Sequence, residues 1–296
     1  LPAEIPIIAF PLDEMYHGSR LGPKGFTHVH HLFLPRAAQA LAALWKRANA
    51  VSDRRLRNML VWFVEQTVLG LSLQNRYSPT HFSQVNRSQN GVYYVPSQHS
   101  EVSPWYILDG KLSRLTRAFS GGAAARSGFS ITTTGDCSSL PMPDAAVDYI
   151  FTDPPFGENI YYADLNFLVE AWHRVLTDAA PEAIVDQAKH KGLHEYQTLM
   201  RACFQEYGRV LKPGRWMTVV FSNSSNAVWR AIQEALGTAG FVVADVRTLD
   251  KQQGSYRQVT SSAVKQDLVI SPYKPPEALT RRFQLGSATV DAAWAF

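Results

Sequence analysis

The sequence predicts an α/β fold: a doubly wound, mostly parallel sheet that closes in an antiparallel hairpin at one edge, preceded by an extended and helical segment. Three observations predict it. Beyond residue 128, short runs rich in β-branched and aromatic residues alternate with amphipathic stretches of helical length. The last two apolar runs, "FVVADVRTL" and "VKQDLVISPY", are joined by a polar loop alone, so they should pair antiparallel. Upstream, alanine- and leucine-rich stretches carry helical periodicity and no strand alternation.

The elements follow in order. "IPIIAF" is a short apolar run, and "HGSRLGPKGFTHVHH" after it reads as loop. "PRAAQALAALWKRANA" opens on a proline and continues in strong helix formers. Ser52 and Asp53 can cap a second helix, whose apolar residues Leu56, Met59, Leu60, Phe63, Val64, Val68 and Leu71 recur at three- and four-residue intervals and should face a core. Arg54, Arg55 and Arg57 fall on its other side, as a solvated face or as phosphate contacts. Residues 77–103 show little periodicity and read as a long surface excursion. "WYILDGKLSRLTRAF" is a further helix, and "GGAAARSG" a junction.

In the second half, "FSITTT", "VDYIFT" and "RWMTVVFS" are expected strands. "ADLNFLVEAWHRVL", "EYQTLMRACFQEYGRVL" and "NAVWRAIQEALGTAG" are expected helices. The domain expectation is an extended and helical segment over 1–122, a compact α/β core over 123–275 and a tail over 276–296.

Bulk properties narrow the function classes. The 296 residues are 46% hydrophobic and 18% charged, which are globular values that allow one large or two modest domains. A net charge of +4 permits a nucleic-acid partner without requiring one. Only Cys137 and Cys203 are present, which excludes a disulfide framework or a paired-cysteine zinc site and fits a reducing, cytoplasmic setting. The most apolar stretch, "MLVWFVEQTVLGLSL", is broken by Glu65 and Gln66, so no membrane span is expected. His28, His30 and His31 have no cysteine or acidic ligand at a known metal-site spacing, and no metal is expected. No secretory signal is visible, and a chain that opens on Leu1 is expected to be part of a longer polypeptide.

In an open parallel sheet, ligands bind beyond the carboxyl ends of the strands. Three such ends stand out: Asp136 after "ITTT", Asp153 to Phe156 after "VDYIFT", and Ser222 with Asn223 after "RWMTVVF". In "FTDPPFGENIYYADL", Pro154 and Pro155 lack amide hydrogens, so a strand must end at Asp153. A nitrogen conjugated with an aromatic ring is a poor nucleophile. The Asp153 carboxylate and the Pro154 carbonyl can accept its two hydrogens and turn its lone pair out of the ring, which is catalysis by positioning. Phe156 offers a ring for stacking on a base. The plain alternative is a capped turn that merely stops a strand.

"DPPF" at a strand end, preceded by "TTGDCSSLPMPDAAVDYIF" and followed by a helix and "RVLKPGRWMTVVF", resembles the amino-methyltransferases that use S-adenosylmethionine. The closest likeness is to adenine-N6 DNA methyltransferases, and within them to the large adenine-specific DNA methylases with a zinc ribbon, which share "GENIYYADL" and "LFLPRAAQALAALW". The resemblance implies a Rossmann-like methyltransferase core and methyl transfer to adenine in DNA, with the target base flipped out of the duplex, in a defence, restriction-modification or regulatory role. It implies a catalytic loop of Asp153, Pro154, Pro155 and Phe156. It implies cofactor contacts from Asp136, Cys137 and Asp153, and a base pocket lined by Asn159, Tyr161 and Tyr162. The helical segment over 1–122 would contact the substrate. A methyltransferase for an RNA base (guanine-N2 or adenine-N6) and a non-catalytic, nucleic-acid-binding subunit are the alternatives.

One departure bears on the cofactor. None of the eighteen glycines forms a Gly-x-Gly, whereas adenosylmethionine enzymes have a glycine-rich turn where the chain passes close to the cofactor. In the zinc-ribbon relatives that turn lies upstream. The expected partners are therefore DNA and a preceding part of the same polypeptide, or a partner subunit, that completes the cofactor pocket.

Overall fold

The computed structural model describes residues 2–16, 18–85, 93–120, 129–158, 160–223, 225–249, 267–276 and 278. Asn159, the junction over 121–128 and the tail beyond 278 lie outside these. In order the elements are α1 (Gly18–Leu21), α2 (Pro35–Asn49), α3 (Arg54–Glu65), α4 (Val68–Leu71), β1 (Asn75–Ser78), β2 (Phe82–Val85), α5 (Pro104–Ser120), β3 (Val147–Thr152), α6 (Tyr162–His173), α7 (Leu193–Val210), β4 (Leu211–Phe221), α8 (Asn226–Thr238), β5 (Val242–Leu249) and β6 (Asp267–Lys274). The chain divides into two compact units, residues 1–131 with 161–179, and residues 132–160 with 180–296. The stretch 161–179, expected in the α/β core, clusters with the first unit.

The first unit is mainly helical. Proline at the start of α2 and the Asp53 carboxylate, which accepts from the Leu56 amide at 2.6 Å, set the first two long helices. The single long helix expected over 54–71 is two, because the backbone turns at Gln66 and Thr67 and the Thr67 hydroxyl bonds the Val64 carbonyl at 2.7 Å. Its apolar stripe is only half covered: Val64 and Val68 are buried, whereas Leu56 and Met59 are exposed. The expected excursion over 77–103 opens with an antiparallel hairpin, β1 with β2, anchored by buried Asn75, whose side chain donates to the carbonyls of Gly70 and Ser100.

Helix α6 is built into this unit. Trp172 is buried between Phe33 and Trp45, with ring centroids at 5.6 and 5.7 Å. Leu168 and Ala171 are fully enclosed, and beyond the helix Arg174 donates to the carbonyls of Ala3, Glu4 and Ile5. Tyr93 places its hydroxyl between the Asp164 carbonyl, to which it donates, and the Leu168 amide, from which it accepts at 2.9 Å. Complete burial drives its ionisation far above the usual phenol range.

In the second unit a four-stranded sheet runs β3-β4-β6-β5. Among the described residues only β3 and β4 pair parallel; β6 pairs antiparallel with both β4 and β5. The last two strands do form the expected antiparallel pair, with β5 at the edge and β6 inserted beside β4. The sheet is mixed, not mostly parallel. Helices α7 and α8 pack on one face, where Met200, Phe204, Ile232 and Leu236 meet Met217, Val219, Phe221 and Ile270 in a dry core. Strand β4 alternates accordingly: residues 217, 219 and 221 are buried and 216 is exposed.

Two expectations about the start of this unit are corrected. "FSITTT" is not a strand; residues 129–136 have no regular structure, with Phe129 and Ile131 exposed. A strand forms only where a neighbour takes up its backbone hydrogen bonds, and among the described residues none pairs with this one. For the same reason β3, an expected strand, lies at the edge of the described sheet, where Tyr149 and Phe151 are 53% and 64% exposed.

Candidate functional site

The turn that follows β3 is fastened from two other elements of the second unit. Tyr196, a fully buried residue of α7, donates its hydroxyl to the Pro155 carbonyl at 2.8 Å. Asn223, two residues beyond β4, donates from Nδ2 to the Phe156 carbonyl at 2.7 Å. The Asn223 carbonyl in turn accepts from the Trp229 indole at 2.8 Å, and its Oδ1 accepts from the Ser225 amide at 2.6 Å, so the residue is oriented at both ends. Gly157 has φ +77, a left-handed conformation that favours glycine, and a Cβ there would stand 3.2 Å from Asn223 Nδ2. Its carbonyl accepts from the Val185 amide at 3.2 Å. Phe156 sits edge-on to Phe221 at 5.2 Å, and Phe221 sits edge-on to Trp229 at 4.9 Å.

With the carbonyls of Pro155 and Phe156 engaged, Pro154 buried and Asp153 exposed, the turn presents its acid outward. Among the described residues no backbone amide donates to the Pro154 carbonyl, so the Asp153 carboxylate and this carbonyl are the candidate acceptors at the strand end. Such a pair can grip an amino group without acting as a strong base.

Asp136 and Cys137 lie in an exposed turn rather than at a strand end. The Asp136 carboxylate accepts from the Ser138 amide and from its hydroxyl, both at 2.8 Å, which is the geometry of a capped turn. On α7, burial, then the neighbouring Cys137 thiol, raises the ionisation of Tyr207 above the usual phenol range, and the nearby Thr152 hydroxyl acts in the opposite direction. One turn earlier on α7, burial pushes the Cys203 thiol up to about 12. Downstream, the loop is fastened by Arg209, whose guanidinium bonds Glu206, Asp144 and the carbonyls of Leu140 and Met142. The Glu206 carboxyl, held by Arg209 and by the Leu140 amide, falls to about 2.

Of the expected base-pocket residues, Tyr161 and Tyr162 belong to the first unit. Tyr161 is buried and stacks on Tyr16 at 4.0 Å, and Tyr162 opens α6 half exposed. Beside them Asp164, also buried, accepts from the Tyr16 amide at 3.1 Å. The histidines of "THVHH" form a cluster of rings with centroids 4.3–5.6 Å apart, braced by Thr27. Burial, then His31 and His28, lowers the ionisation of His30. Among the described residues no group of three metal-binding side chains has the geometry to hold an ion.

Residues 147–284 match the family model described as DNA methylase. The matched region thus begins at the first residue of β3 and takes in the turn 153–157, both of its tethers and every strand of the sheet. No curated protein matches the chain. Among solved structures, a candidate DNA modification methylase of Thermus thermophilus is 16% identical over 50% of this chain and 61% of its own, with a TM-score of 0.30. The chain therefore spans about three-fifths of that protein's length. A SAM-dependent methyltransferase of Methanosarcina mazei is 13% identical over 55% of this chain and 76% of its own, at 0.29. The Thermus protein in complex with S-adenosyl-L-methionine aligns at 15% identity over 50% of this chain and 64% of its own, also at 0.29.

Sequence reasoning reached Asp153 to Phe156 and placed Asn223 at a strand end. It missed Tyr196 and Gly157. A tyrosine in an otherwise apolar helical stripe, and a glycine directly after Pro-Pro-Phe, are the signals that point to them.

Proposed function

We propose that the region 147–284 transfers a methyl group from S-adenosylmethionine to the exocyclic amine of adenine in DNA. The observation that carries this reading is the turn 153–157 after a paired strand, fastened at Pro155 and Phe156 by Tyr196 and Asn223, with Asp153 an exposed residue. In the proposed reaction the Asp153 carboxylate and the Pro154 carbonyl accept the two amine hydrogens. The nitrogen lone pair forms the new N–C bond as the methyl carbon leaves sulfur, and the surplus amine proton is released towards Asp153. S-adenosylmethionine supplies the electrophilic methyl group when bound. Asp136, Cys137 and Asp153 are the residues of this chain proposed to border it. A base in a duplex must leave the stack to reach an acid at a strand end, and Phe156 would bear on its face.

Mass analysis of nucleosides after incubation with DNA and with RNA tests the reading. N6-methyladenine in DNA is the expected product; methylated guanine or adenine in RNA alone would move the activity to an RNA base.

A second reading, a nucleic-acid-binding chain with no cofactor site of its own, is favoured by the absence of any Gly-x-Gly and by the exposed, strandless approach to Asp136. Calorimetric titration of S-adenosylmethionine into this chain, and into a longer polypeptide that includes upstream sequence, separates the two. Binding by both supports a self-sufficient enzyme, binding by the longer one alone a pocket completed from elsewhere, and binding by neither the second reading.

A further inference from the structure

We propose that the outward faces of α3 and α5 form a nucleic-acid-binding strip in the first unit, different in kind from the methyl-transfer turn and built for backbone contact. It takes nucleic acid as partner from the reading above but does not depend on methyl transfer. On α3, Arg55, Met59, Trp62 and Gln66 recur at four-, three- and four-residue intervals, one line along the helix of about 16 Å. Gln66 then accepts a hydrogen bond from Lys111 of α5 at 3.3 Å, and Arg114 stands one turn further along that helix. The two lines are thereby joined into one surface.

Three features distinguish this strip from an ordinary solvated helix face. Met59 and Trp62 are 41% and 43% exposed, so two large apolar side chains that water does not favour stand between Arg55 and the basic pair of α5. Arg55 and Arg114 make no ion pair or hydrogen bond among the described residues, so their charges are uncompensated. The neighbouring acids are committed elsewhere. Asp53 caps the Leu56 amide and Glu65 faces His173 at 3.1 Å, while Asp109 stands about 200° round the helix from Lys111. Cations that release counterions from phosphates, together with an indole on which a base can stack, suit a polynucleotide better than an acidic protein, which offers no aromatic faces in register.

The test is fluorescence anisotropy of a labelled DNA duplex with the full chain, at about 50 to 200 mM salt. The double variant Arg55→Ala/Arg114→Ala is expected to bind about tenfold more weakly and to flatten the slope of log affinity against log salt by about two. Arg230→Ala, an exposed arginine of α8, should change neither. Trp62→Ala should weaken single-stranded DNA more than duplex. Unchanged affinity and slope in the double variant would overturn the proposal. So would a Trp62→Ala variant that binds DNA normally but loses self-association in sedimentation, which would make the strip a protein interface. Because binding is read without turnover, an inactive methyltransferase leaves this test intact.

Discussion

The turn at 153–157 and the turn at 136–142 were both expected at the carboxyl ends of strands, yet they are held in different ways. The first follows a strand that pairs with β4, and it is pinned from two elements by Tyr196 and Asn223. The second follows an exposed, strandless run. What order it has comes from Asp136 bonding Ser138 and from Arg209 and Glu206 gripping the loop at 140–144. An acid proposed to orient a reacting amine needs a fixed backbone, and pairing with β4 supplies one up to the residue before Asp153. Asp136 receives its orientation only from neighbours in its own turn.

The contrast can be broken most severely at Phe221. It is fully buried between Phe156 and Trp229, so Phe221→Ala should cost about 3–5 kcal/mol in denaturant unfolding and loosen the first turn together with the core. Removing single tethers should cost less stability and more activity. Tyr196→Phe and Asn223→Ala should each lower stability by about 1 kcal/mol. By misaligning the acceptor pair they should also reduce kcat by roughly ten- to a hundredfold, with a smaller change in KM. Equal losses in kcat/KM carried entirely by KM would mean that the tethers shape binding only.

Acid should act on the second turn first. The Glu206 carboxyl is depressed in the folded state, so its contribution is complete above the ordinary carboxylate range and is lost as pH falls through about 2. Hydrogen exchange at the Leu140 amide, which donates to Glu206 at 2.7 Å, should accelerate over that interval before the amides of β4 do. The smallest effect belongs to Asp136→Ala. In an exposed turn it should change stability by no more than about 0.5 kcal/mol, so any large loss of S-adenosylmethionine affinity in that variant would mark contact and not collapse.

How much of this was legible in the sequence follows from what each element depends on. The long helices and strands β4 to β6 were readable because periodicity records a buried face, as in Met217, Val219 and Phe221. The break at Gln66 and Thr67 and the hairpin β1–β2 were not, since local hydrogen bonds from Thr67 and Asn75 decide them. "FSITTT" has strand composition, but composition does not supply a neighbour. At the site, Asp-Pro-Pro-Phe was visible because proline chemistry is local. Tyr196 lies far along the chain from the turn, and nothing in its surroundings names the carbonyl it meets.

The claim on which the rest depends is that the Asp153 carboxylate orients the reacting amine. Asp153→Ala, assayed by mass analysis of N6-methyladenine in DNA beside an unfolding curve, tests it directly. Loss of methylation to background with an unchanged unfolding midpoint is the predicted result, since the residue is exposed. Methylation at the unmodified protein's rate in that variant would contradict the account.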